Sequence, residues 1–126
     1  MAYHVSKTVF GGLVQRALAD LPEQFAQHLE EVPIEIRARP TRGELKRLGL
    51  DDDELLLGLY DGIPLTERSV EHSGVRSPVI YLFQDDIEIA SDSEAELIQQ
   101  VRTTVLHEIG HHFGMDEDDL DELGYG

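Results

Sequence analysis

Apolar positions recur along this chain at two different periods. Between residues 8 and 21, Phe10, Leu13, Val14, Ala17, Leu18 and Leu21 follow the 3.6-residue spacing of an amphipathic helix. Pro22 comes next, and its fixed φ suits the first turn of a second short helix through Phe25 and Leu29, with Asp20 or Leu21 near its cap. Val32-Pro33-Ile34-Glu35-Ile36-Arg37 alternates apolar and polar, the period of a half-buried strand, and its proline places it near a sheet edge. Leu55-Leu56-Leu57-Gly58-Leu59-Tyr60 reads as a second strand, closed by the turn signal Asp61-Gly62. Pro78-Val79-Ile80-Tyr81-Leu82-Phe83 is the third and most apolar strand.

The helical period returns in the last third. Gln84–Ala90 reads as a short helix or an irregular link. Ser93, with Glu96 three residues on, fits the capping box of a long helix. Leu97, Ile98, Val101, Val105, Leu106 and Ile109 form its apolar stripe, and the helix runs to about His112 before stopping at Gly114. Residues 40–54 are polar, with a second capping box at Thr41 and Glu44, and residues 64–77 form a polar excursion. The pattern predicts one α+β domain over 1–126. A three- to four-stranded mixed sheet would pack on the N-terminal helix and the long C-terminal one, with an acidic segment at 116–126.

Composition narrows the chemistry. The chain has no cysteine, so disulfides and thiol chemistry are excluded and a metal must sit on His, Asp or Glu. The N-terminal MAYHVSKTVFGG lacks the apolar core of a signal peptide, and no apolar run approaches the roughly 20 residues of a membrane span. A cytoplasmic protein with no membrane partner is the expectation. The formal net charge is -16 and unevenly placed: residues 1–50 carry 6 acids and 7 bases, residues 51–126 carry 20 acids and 3 bases. Such a field repels phosphate backbones, which argues against nucleic acid, and favours cations and basic peptides. Asp51-Asp52-Asp53-Glu54 lacks the spacing of a calcium loop and reads as a solvated charge run.

His107-Glu108-Ile109-Gly110-His111 lies within the predicted long helix. Residues four apart share a helix face, so the two imidazoles converge on one ion, with Glu108 beside the first of them. That is an HExxH arrangement: two metal ligands and a general base for a zinc-activated water. Gly114 extends it to HExxHxxG. In the metzincin-like pattern a third ligand follows that glycine by three residues, a position held here by Glu117 rather than histidine. Asp116 and then Asp118 are the fallbacks. His112, about 100° round the helix from His111, reads as a packing residue or a support for the ligands, and Met115 as core filler. His28 reads as a surface or core histidine. Tyr125, Tyr81 and His72 are candidates for polarising a substrate carbonyl.

RTTVLHEIGHHFGMDEDDLDELGY at 102–125, with PVIYLF at 78–83 and LPEQFAQHLEEVPI at 21–34, resembles the small bacterial zincin-like metallopeptidases known as minimal zincins. The resemblance covers nearly the whole chain. It implies a reduced zincin fold with the motif helix packed under a small sheet. A cleft would run along an edge strand, Val79–Phe83 or its neighbour, to which an extended peptide adds by backbone pairing. It implies a Zn²⁺-dependent peptidase, and a domain this small has little room for subsites, which suits short or unfolded peptides as substrates. Two other readings stay open at this stage: a weakly active or inactive domain whose acidic surface binds a basic protein, and a metal-dependent hydrolase of a non-peptide amide.

Overall fold

The computed structural model describes residues 2–62, 78–115 and 117–122, with backbone alone at 117, 120 and 121. Helix α1 spans Lys7–Ala19, and the Ser6 side chain caps it by accepting the Val9 N–H. Pro22 then serves as the N-cap of a single turn, α2, Glu23–Ala26, which tightens into a 3₁₀ turn over Gln27–Glu30. The sequence pattern places Pro22 one position too far inside that helix. Next come β1 (Ile34–Arg37), α3 (Arg42–Arg47), β2 (Gly58–Asp61), β3 (Val79–Phe83), α4 (Gln84–Ile89), α5 (Glu94–His112) and α6 (Glu117–Glu122).

The strands form one mixed sheet in the order β1-β3-β2, parallel between β1 and β3 and antiparallel between β2 and β3. Val79–Phe83 is therefore the central strand, and the cleft-side edge is its neighbour, β2. The most apolar segment takes the centre because both its faces are covered. Ile80 and Leu82 are fully buried in the main core, where α1 contributes Phe10, Leu13, Val14 and Ala17 and α5 contributes Leu97, Val101, Val105, Leu106 and Ile109. Each of the larger side chains there contributes about 1.5–3 kcal/mol by leaving water. Phe83 and Leu45 are buried outside that cluster.

The opposite sheet face is held by an ion pair. Arg37 at the end of β1 makes two hydrogen bonds of 2.9 Å to Glu44 of α3 and lies over the Tyr81 and Phe83 rings, 4.9 and 5.1 Å from their centroids. Glu44 also closes the capping box with Thr41. These bonds, Arg37's foremost, hold the Glu44 carboxyl down at about 2.

The strand expected from Leu55 begins instead at Gly58. The Asp86 carboxylate of α4 takes the Leu56 N–H at 2.9 Å, so that residue bonds to a side chain rather than to a neighbouring strand. Gly58 then sits where α5 comes nearest: a Cβ on it would meet Thr104 Cγ2 at 2.4 Å and the Tyr81 carbonyl at 3.1 Å. Asp51, Asp52, Asp53 and Glu54 are exposed. Among the described residues, no helix is long and apolar enough to cross a membrane.

Candidate metal centre

Helix α5 starts at Ser93, whose side chain accepts the Glu96 N–H at 3.1 Å. Its last turn presents two adjacent stripes with different duties. His107 and His111 are half-buried and face a groove, whereas Glu108 and His112 are buried and face the sheet. The helix ends in a Schellman turn: the Gly114 N–H bonds the His111 carbonyl at 2.9 Å and the Met115 N–H bonds the Gly110 carbonyl at 3.0 Å. Gly114 takes φ 83°, the left-handed region that favours glycine.

That turn also serves the site. It brings the Met115 carbonyl to 3.1 Å from His111 Nδ1. A carbonyl only accepts, so the proton sits on Nδ1 and the Nε2 lone pair is left for a metal. The His111 and His107 Nε2 atoms lie 3.1 Å apart. Two nitrogens each about 2.0–2.1 Å from a tetrahedral zinc stand about 3.3 Å from each other. The spacing thus fits a shared ion without rebuilding either ring. Glu108 completes the cluster, with donor atoms of all three residues within 4.8 Å of one another.

Glu108 has a fixed orientation. Its Oε1 accepts the Tyr60 N–H of β2 at 2.8 Å, and its Oε2 lies 3.9 Å from His107 Nε2. Behind it, His112 is fully buried, with Nδ1 2.9 Å from the Tyr60 hydroxyl and Nε2 3.6 Å from Glu31. Glu31 also meets His28 Nδ1 at 3.2 Å, and chiefly through that bond its carboxyl is held below the usual range. His28 packs edge-on against Phe113, 4.5 Å between centroids, consistent with a structural histidine.

Two hollows flank the His107–Glu108–His111 cluster along β2 and share Leu56, Gly58, His107 and Glu108. One, of about 290 Å³, is completed by Leu57, Gln100, Thr103 and Thr104. The other, of about 420 Å³, is walled by Leu48, Leu59, Tyr60, Gly62 and His111.

Of the residues singled out from sequence, His107, Glu108 and His111 come together and His112 points away from them to the core. For the third ligand, Asp116 and the Glu117 side chain lie outside the described residues, and Asp118 is exposed on α6. His72 and Tyr125 also lie outside them. Tyr81 is not a site residue: it alternates with Ile80 and Leu82, so its ring is on the far sheet face beneath Arg37. The pattern missed Tyr60, the Met115 carbonyl and Gly58. A glycine inside an apolar strand is the one local sign of such a close approach.

A family model described as zincin-like metallopeptidase matches residues 29–126. None of the curated proteins compared with the chain matches it. Among solved structures, a conserved hypothetical protein from Thermo thermophilus is similar at 21% identity with a TM-score of 0.54. The match covers 94% of this chain and 97% of that one, a likeness of fold.

Proposed function

The chain belongs to the zincin-like metallopeptidase family, and from that premise we propose that it is a zinc-dependent peptidase with Glu108 as general base. The observation that carries the reading is the split carboxylate. A structural metal site needs the two histidines, but has no use for a glutamate clamped by one oxygen with the other 3.9 Å from His107 Nε2. His107 and His111 would hold Zn²⁺, with Glu117 first, then Asp116 or Asp118, as the third ligand. Two histidines and a carboxylate leave the fourth position open. A zinc ion bound there acidifies a water and polarises the scissile carbonyl.

The remaining steps belong to the protein's own groups. Glu108 Oε2 accepts the proton of the attacking water and passes it to the leaving amine nitrogen, which departs as a neutral amine. The Phe83 N–H bonds the Leu57 carbonyl, so in the antiparallel β2–β3 pair residues 57, 59 and 61 bond inward. Gly58 and Tyr60 then direct their backbone groups to the open edge. The Tyr60 N–H is taken by Glu108, which leaves Gly58 to pair with an extended peptide. The walls formed by Leu48, Leu56 and Leu59 favour an apolar side chain beside the scissile bond. The acidic half of the chain favours basic residues further out.

The test is a mixed peptide library incubated with zinc-loaded protein, with the products identified by mass spectrometry. Internal cleavage beside aliphatic residues, abolished by a chelator and restored by zinc, is expected. No cleavage at full zinc occupancy would overturn the assignment.

A further inference from the structure

The motif turn carries a second pair of residues in register with the metal-facing histidines. Positions 107 and 111 are one turn apart and line the groove, while positions 108 and 112 are one turn apart and face β2. Tyr60 bridges the second pair: its backbone N–H donates to Glu108 Oε1 at 2.8 Å and its hydroxyl meets His112 Nδ1 at 2.9 Å. One strand residue is thus fastened at two points to one helical turn.

We propose that Tyr60 and His112 form a clasp that fixes the open edge of β2 against α5 and thereby sets which oxygen of Glu108 faces the ion. Both are then positioning residues for the hydrolysis proposed above, and the catalytic half of the proposal rests on that reading. Without the hydroxyl bond, β2 loses a side-chain tie to the motif turn, and the Tyr60 N–H drifts from Glu108. A carboxylate released from that N–H rotates, and its base oxygen no longer stays where the water gives up its proton.

His112 is suited to the task by its surroundings. Its ring is fully buried and tilted against those of Tyr60 and Phe113, with centroids 5.5 and 5.9 Å away. The Glu31 carboxylate stands 3.6 Å from Nε2, an ion-pair separation longer than a hydrogen bond, and Nδ1 meets the Tyr60 hydroxyl at 2.9 Å. A hydroxyl both donates and accepts, so the clasp closes with either tautomer of the ring.

The experiment reads the clasp without turnover. In zinc-loaded, ¹⁵N-labelled protein, the amide at position 60 is followed by NMR shift and by hydrogen exchange. Tyr60→Phe, which removes one oxygen, is expected to move that amide proton upfield and speed its exchange about tenfold. Zinc stoichiometry and the visible spectrum of the Co²⁺-substituted protein should stay as in the wild type. Cleavage of a library-derived peptide should lose about tenfold in kcat with KM unchanged. His112→Phe should behave alike, and His112→Asn, which returns an acceptor near the place of Nδ1, should recover most of the loss. An amide unmoved in Tyr60→Phe overturns the clasp. An amide that moves while kcat holds overturns its catalytic role. A wild type that cleaves nothing at full zinc occupancy fails the peptidase reading, while the amide result still decides the clasp.

Discussion

His111 shows how much of this site is settled on single atoms. Its Nε2 faces its partner His107, while its Nδ1 is held by a carbonyl that only the Gly114 turn delivers. Gly114→Ala places a Cβ in the left-handed region at a cost of about 1–2 kcal/mol per residue and displaces Met115. Partners of that kind typically contribute about 10–100-fold to metal affinity. The expected outcome is about tenfold weaker zinc binding in a competition titration with a chromophoric chelator, with helix content by circular dichroism little changed. That outcome would make the glycine part of the metal site as well as a helix stop.

Among the elements, the junction of β2 with α5 and that of β1 with α3 position the groove. Gly58 lets the first pair close, and Gly58→Ala must push aside Thr104, a stiff β-branched side chain buried in α5. A destabilisation of about 1–3 kcal/mol in urea unfolding is expected, with zinc-dependent cleavage falling because the edge moves off Glu108. The second junction predicts a pH dependence. The Glu44 carboxyl is held at about 2, below its ordinary 4.5, by Arg37. Its contribution is therefore complete above about pH 4.5 and is lost as pH falls toward 2. Asp86 works in the opposite sense: burial raises its carboxyl, so it opposes folding once ionised and is relieved in acid. Glu44→Gln should lower the urea midpoint at neutral pH, with a loss of stability of about 1.5–3 kcal/mol for a charge-assisted pair. It should also flatten the loss of stability between pH 4.5 and 2; an unchanged slope would show that Arg37 does not hold that proton off.

At the scale of the molecule, what is legible in the sequence follows physical range. Local period and capping chemistry give α1, β1, β3 and α5 and both capping sites, because each depends on residues within a few positions of it. The HExxH residues are legible for the same reason: a helix alone brings 107 and 111 together. Strand order is not local, so the edge passes to β2 only when α1 and α5 cover the apolar Val79–Phe83. Tyr60 and Gly58 escape notice because their significance lies in a helix about fifty residues away. The charge is legible but global. With 20 of the 26 acids after residue 50, kcat/KM for basic peptides should fall as salt rises, by a larger factor than for neutral peptides of the same apolar core. Equal salt dependence of the two would remove the acidic field from the account of selectivity.

All of these scales meet at Glu108, a buried carboxylate with one oxygen on the sheet edge and the other beside His107. The most direct test is kcat on one cleaved peptide for wild type and Glu108→Gln at equal, verified zinc occupancy. Removal of a general base predicts a loss of about 10²–10⁴-fold with KM near that of wild type. Equal rates for the two proteins would contradict the account.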